Sequence, residues 1–389
     1  RHTRLQEKSR GLGDVYKRQS LYNVDGSMRK TAKSKLLDLF NLDPVADRPR
    51  DHISLVDMGL IWRLATPTPI DREARKRDGV EYSWNDYLDK ICAIICSRHA
   101  DANIIILVND KYDLPFSIKD DEHERRAAKF PHLPNVFPKL ADTFPVAAEF
   151  NKFMVNSSNK VRLQELVKEQ LKKHVGQMQS TIIYCEGDTS TNLNTGEISR
   201  DYAFKHAEAD TMLLSAYAKI RAGDYAGTVV LNSEDTDVYV QAVYVAHQLD
   251  GTLLMKRKRN LIDCKSMLPE EVASIIIPLH LITGCDHTSG FYGHGKKSVL
   301  QKVIDKPEAR ELIAHVGQTL ELEEDVSEDM TAFVLSYVYA EKEDITCGQA
   351  RASKWHKQKK KSTMRLPPDK DLSLIHISEP TRLLVQSRM

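Results

Sequence analysis

The chain has 389 residues, 41% of them hydrophobic and 29% charged, with a formal net charge of +1. This near-balance excludes a generally basic nucleic-acid binder, so any such surface must be a local patch. No apolar run approaches the roughly 18 residues of a membrane span and no signal peptide is visible, which leaves one large domain or two smaller ones.

Both ends read as something other than native protein. One DNA segment translates to Ser9–Gln19, and its reverse complement translates to Leu372–Arg382. That segment resembles a transposase-based sequencing adapter. Arg1–Arg4 and Ser387–Met389 pair in the same way, and the residues between fall where a barcode would lie. Residues 1–19 and 372–389 are therefore set aside from fold reasoning as an adapter-derived artefact. Of 56 basic residues eight lie in these tails, which leaves 48; of 55 acidic residues three do, which leaves 52.

Residues 20–50 form a polar N-terminal segment with little strand character. HISLVD then reads as a strand ending on Asp57, and MGLIWRLA as the start of a helix. YSWNDYLDKICAIICSRHA has helical spacing, and ANIIILVND is an apolar β-rich run ending on Asp110. A long polar stretch follows, with the insertion taken as 111–180; it carries the charge-dense IKDDEHERRAAK and a helix in NKVRLQELVKEQLKKHV. STIIYC, the helix opened by HAEADTMLLSAYAKI and the strand GTVVLNS restore the alternation. YVQAVYVAHQL reads as a helix and GTLLMKRK as a strand. PEEVASIIIPLHLITGCD reads as one helix leading to Asp286, and a mostly helical tail follows. Strands alternating with helices imply an α/β fold with a mainly parallel sheet.

The six cysteines contain no CxxC pair and most sit in apolar contexts, as expected of reduced, buried thiols in a cytoplasmic or nuclear protein. The basic runs Lys256–Arg259 and Lys357–Lys361 suit nuclear import, phosphate contact or plain solvated charge. His206, His280, His287 and His294 match no zinc spacing. Trp62, Trp84 and Trp355 are too scattered for a base-stacking platform.

Seven acids stand out: Asp57, Asp110, Glu208, Asp210, Asp235, Asp237 and Asp286. Each lies at or just after an apolar stretch that reads as a buried strand, or at a helix start. If the strands are parallel, their C-terminal ends gather at one crevice. Carboxylates so crowded repel one another unless divalent cations lie between them. Two-metal phosphodiester hydrolysis uses such a nest. Taken singly, each acid also reads as an ordinary helix cap or strand-end turn.

The order and spacing of five blocks resemble the PIN-like nuclease domain of the flap endonuclease/XPG superfamily. The blocks are LVD (Asp57), VNDKYDLPFSIKDDEHERR, HAEADT (Glu208, Asp210), SEDTDVYV (Asp235, Asp237) and TGCDHTSGFYGHGKKS (Asp286). The transposon-associated branch of that superfamily also shows HxEADT, DTDV and TGCDxTS blocks. The gateway segment here is proline-rich and differently spaced.

The resemblance implies a three-layer PIN-like domain over 51–290, with a helical gateway insertion and a helix–hairpin–helix-like segment over 291–371. It implies two Mg²⁺ or Mn²⁺ ions, with Asp57, Asp110, Glu208, Asp210 and Asp235 innermost and Asp237 and Asp286 completing the second site. Lys119, Arg125 and Arg126 would grip the scissile phosphate, or form a solvated helix face. Gly293, Gly295, Lys296 and Lys297 would hold a duplex backbone, or form a plain loop and helix start. The expected partner is DNA, branched or bearing a single-stranded arm, cut by a monomer to a 5′-phosphate and a 3′-hydroxyl, with no membrane involved. A decayed, non-catalytic binding module derived from a mobile element is the alternative. DTDV also resembles the nucleophile block of haloacid-dehalogenase phosphatases, although there the pair comes early in its domain.

Overall fold

The structure, a computed structural model, describes residues 20–23, 27–47, 49–112, 134–186, 188–202, 204, 206, 208–223, 225–286, 288–316, 324–341, 345–360 and 362–368. Both expected adapter tails lie outside these residues, as do Lys119, Arg125 and Arg126. The chain divides into two units, 43–264 and the remainder, 1–42 with 265–389. The division falls at Cys264 rather than after 290, so Asp286 belongs to a different unit from the other six acids. Among the described residues no helix is long and apolar enough to cross a membrane. The six cysteines form no disulfide with one another, and all but Cys96 are buried.

Unit 43–264 is α/β, built on one eight-stranded mixed sheet. Its strands are β1 (His52–Asp57), β2 (Ala102–Val108), β3 (Thr181–Glu186), β4 (Thr189–Asn192), β5 (Ile198–Ser199), β6 (Val229–Asn232), β7 (Leu253–Arg257) and β8 (Asn260–Asp263), in the order 5-4-3-2-1-6-7-8. The central five, 3-2-1-6-7, are mutually parallel; antiparallel turns add β4 and β5 at one edge and β8 at the other. HISLV in β1 is buried on both faces, and β2 is a nearly unbroken apolar run, the pattern that parallel strands covered on both sides require.

Helices α1 (Met58–Ala65), α2 (Pro69–Arg77), α3 (Trp84–Arg98), α4 (Ala147–Val155), α5 (Ser157–His174), α6 (Ala209–Ala222) and α7 (Thr236–Gln248) fill the crossovers. α1, α3 and α5 cover one face, where Val56, Ile105, Leu107, Ile182 and Tyr184 meet Trp62, Trp84, Tyr87, Leu163 and Val167. α6 packs on β1 and β2, and α7 on α6 and β7. By the alternation of strand side chains and the right-handed rule for crossovers, that is the opposite face.

Chain order runs outward from β1 through β2 to β3, then reverses to β6 and β7. The reversal leaves a switch point between β1 and β6, where Val56 lies opposite Asn232. In open α/β sheets the crevice at the strands' C-terminal ends opens there.

The other unit is mainly helical. Its expected long helix is interrupted: Glu270–Ala273 forms one turn and α8 spans Ile276–Ile282. The cause is Pro278, which cannot donate to the carbonyl of Ser274 and so stops a helix from running through. α9 (Lys296–Asp305) packs on the 3₁₀ turn Lys33–Leu39. The N-terminal segment is laced onto the loop after α8 by Gly290 N–H to Arg29 O (2.9 Å), Thr31 Oγ1 to Gly284 O (3.0 Å) and Tyr292 N–H to Ser20 O (3.0 Å). Gly284 has φ +98°, and a Cβ there would lie 2.6 Å from Gly290 N. The TGCD turn therefore needs glycine.

Candidate metal centre

Asp57 is the last residue of β1 and the N-cap of α1. Its Oδ1 accepts from Gly59 N–H (2.8 Å) and Leu60 N–H (3.4 Å). Asp235 plays the same part three residues after β6, with Oδ1 accepting from Asp237 N–H at 3.0 Å. Both are thus helix caps, as the plainer reading of each acid expected. Ser233, fully buried between them, joins the two: its hydroxyl donates to Asp57 Oδ2 (3.2 Å) and accepts from Asp235 N–H (3.3 Å). Sequence reasoning missed this bridge. A polar residue directly after an apolar strand was its one signal.

Asp110 lies two residues beyond the end of β2, beside Asp57, since Asp57 is opposite Val108 in the sheet. Three contacts hold it. Gln164 Nε2 of α5 donates to its carbonyl (2.8 Å), Ala209 N–H donates to Oδ1 (2.7 Å), and the Tyr112 hydroxyl donates to Oδ2 (3.0 Å). The Ala209 bond places the start of α6 against Asp110, with Glu208 as the N-cap and Asp210 in the first turn. The carboxylate thus sits where a helix N-terminus favours negative charge.

Unit 43–264 therefore assembles Asp57, Asp110, Glu208, Asp210, Asp235 and Asp237 at the C-terminal ends of β1, β2 and β6, although they come from distant parts of the chain. Asp286 is not described with them: in its own unit it accepts a salt bridge from Lys33 at 2.9 Å. On the rim, Arg63 faces Glu234 at 3.6 Å, an exposed pair worth little. Tyr112, Gln164 and Lys160, whose ammonium lies 4.2 Å from the Tyr112 ring centroid, complete the β2 side. None of these three stood out in the sequence.

The electrostatics single out Asp57. Capping and the Ser233 hydroxyl both favour its charged form, yet its carboxyl is pushed up to about 6, first by burial and next by the charge of Asp110. Burial together with Asp110 and Asp57 also pushes the Tyr112 phenol well above its usual value, so it serves as a hydrogen-bond donor. No three described His, Cys, Asp or Glu side chains lie close enough to clasp an ion between them. Mg²⁺ binds through one or two carboxylates and keeps several waters. The neighbouring carboxylates of Asp57 and Asp110, hard oxygen donors, fit that requirement.

A buried polar chain runs from the start of β1 to the end of β6. Ser54 Oγ is hydrogen-bonded to His52 Nε2 (3.1 Å) and His99 Nδ1 (3.0 Å), and His99 Nε2 meets Asn232 Nδ2 (3.3 Å). Arg98 donates to Asn232 Oδ1 at 3.2 Å. Burial holds both histidines below their usual range, His99 far below.

In the other unit the expected backbone-binding residues divide. Gly293 has φ +79°, and Gly295 is the N-cap of α9, so a glycine turn does feed this helix. Lys297 is exposed and lies 3.4 Å from Asp38. Lys296 is placed otherwise: it is 2% exposed, and its ammonium donates to His280 O (2.7 Å) and Thr283 Oγ1 (2.9 Å). It ties α9 to the end of α8 and does not present its charge to a ligand. The chain matches no protein-family model and no curated protein.

Proposed function

We propose that this chain is a divalent-cation-dependent nuclease of PIN-like fold, hydrolysing phosphodiester bonds in DNA at the acid cluster of unit 43–264. One observation carries the reading: Asp57 at the end of β1 lies beside Asp110 past the end of β2, and the start of α6, with Glu208 and Asp210, is bonded to Asp110. In support, burial and Asp110 push the Asp57 carboxyl up to about 6, whereas a cap alone would lower it. A protein that sets two carboxylates together against their repulsion, at the switch point of a parallel sheet, has built a seat for positive charge.

Mg²⁺ or Mn²⁺, two ions in the full reading, supplies Lewis-acid activation of water and charge stabilisation at the leaving oxygen when bound. The chain's own residues do the rest. Asp57 and Asp110 provide the central oxygens. Ser233 holds Asp57 in line with Asp235, so the two flanks of the crevice are set by one hydroxyl. Ala209 N–H locks the start of α6, which carries Glu208 and Asp210, against Asp110. Asp237 extends the acidic lining from the first turn of α7. Water attack on the phosphodiester would leave a 5′-phosphate and a 3′-hydroxyl. Lys297, Gly293 and Gly295 are available to hold a duplex backbone without reading sequence.

The test is to incubate the full chain with labelled 5′-flap, single-stranded and duplex DNA, with and without Mg²⁺, beside an Asp235→Asn/Asp237→Asn double variant. Metal-dependent cleavage lost in the variant is the expected result. A folded protein that binds these DNAs and cuts none, in Mg²⁺ or Mn²⁺, would replace the reading with a non-catalytic binding module.

A further inference from the structure

We propose that Tyr112 is a positioning residue of the acid cluster: its hydroxyl sets the Asp110 carboxylate, and with it the start of α6, in the orientation that receives a divalent cation. The inference rests on reading the cluster as a cation site. Tyr112 lies within the VNDKYDLPFSIKDDEHERR block, but the resemblance gives it no role.

Asp110 lies past the last paired residue of β2, so the sheet does not fix its side chain. Rotation about its side-chain bonds would swing the carboxylate out of line with Asp57. Two donors prevent this from opposite ends: Ala209 N–H at 2.7 Å on Oδ1 and the Tyr112 hydroxyl at 3.0 Å on Oδ2. Each carboxylate oxygen has two lone pairs, so one donor per oxygen leaves one acceptor site per oxygen, aimed by the donors already in place. Loss of the Tyr112 donor would leave Asp110 pivoting on the Ala209 bond alone.

Tyr112 is itself held by more than its hydroxyl. Its ring packs against the core that α3 and α5 share. The Lys160 ammonium lies 4.2 Å from the ring centroid, within cation–π range. Gln164, one turn along α5 from Lys160, holds the Asp110 carbonyl at 2.8 Å. Helix α5 thus braces both the residue that is oriented and the residue that orients it. Partners that orient a ligand's carboxylate typically change metal affinity tenfold to a hundredfold when removed.

The experiment uses the full chain and Mn²⁺ alone as the probe, with free Mn²⁺ counted by electron paramagnetic resonance. Tyr112→Phe keeps the ring and its packing and removes one hydroxyl. Its Mn²⁺ Kd is expected to weaken about tenfold to a hundredfold, while its urea midpoint in EDTA stays close to that of the parent. An unchanged Kd in Tyr112→Phe, beside a parent that binds Mn²⁺, overturns the positioning role and leaves the metal centre standing. A parent that binds no Mn²⁺ overturns both.

Discussion

Asp57→Asn separates a helix cap from a metal ligand by the sign of its effect. Asparagine caps a helix as well as aspartate, so the bonds from Gly59 and Leu60 to Oδ1 survive. The Ser233 hydroxyl can rotate to accept from the new amide. The carboxyl stands at about 6 against an ordinary 3.8, roughly two pH units, or about 3 kcal/mol at 1.36 kcal/mol per unit. Some of the carboxylate reaches solvent, so this is an upper bound. The sign follows from linkage: between 3.8 and about 6 the folded state keeps a proton that the unfolded chain has lost. Stability therefore falls as pH rises through that window, and the full penalty applies above it. In EDTA at pH 7.5, Asp57→Asn should be more stable than the parent by up to about 3 kcal/mol, a rise in Tm of several degrees. The gain should vanish near pH 4. Mn²⁺ at a hundredfold excess over its Kd should restore about 2.7 kcal/mol to the parent and little to the variant. Urea titrations at the two pH values, with and without Mn²⁺, read all of this. If Asp57→Asn is the less stable protein in EDTA at pH 7.5, Asp57 is a structural cap and the argument for a cation seat fails.

Three further outcomes are expected. Ser233→Ala removes a hydroxyl that donates to a carboxylate charged at neutral pH, so it should cost about 2 kcal/mol at pH 7.5 and much less at pH 4.5; an equal loss at both would assign the hydroxyl to packing. His99, buried and neutral, must be protonated on unfolding below its unfolded pKa of about 6.5, so stability is lost as pH falls below that value. Replacing it by glutamine should remove about 1.4 kcal/mol of the decline between pH 7.5 and 5.5, and an unchanged pH profile would count against the assignment. Lys297→Gln should lower the salt slope of duplex binding by about one, since one phosphate contact is lost. Lys296→Met should instead lower the thermal stability of the protein and leave that slope unchanged.

Long elements with strong periodicity were legible in the sequence. HISLVD, NIIILV and VVLN carry too many β-branched and apolar residues to be anything but covered strands, and the acids that follow them could be placed from chain order alone. Elements without an apolar signature were missed. β4 is short and polar and β5 has only two residues, both held by ladder bonds that leave no mark in composition. α2 buries none of its residues, and only the Thr68–Asp71 capping box with Pro69 announces it. At the candidate site, the positions of the acids could be read from the strands and helix starts they adjoin; their supports could not. Ser233, Tyr112 and Gln164 matter through what they touch, and sequence spacing does not encode those contacts. Lys296 shows the reverse error, a charged residue beside glycines whose burial depends on how α8 and α9 meet.

The connection from β2 to β3 spans residues 109–180 and returns to the neighbouring strand of the same sheet. The acid cluster sits at its root, secured by strand register and by Gln164. Neither hold involves the part of that connection between Tyr112 and residue 134, so changes in its length would leave both in place. On the proposed reading, such a layout would let what is recognised vary while the chemistry stays fixed, so relatives of this chain should differ most between Tyr112 and residue 134 and least where Gln164 meets Asp110.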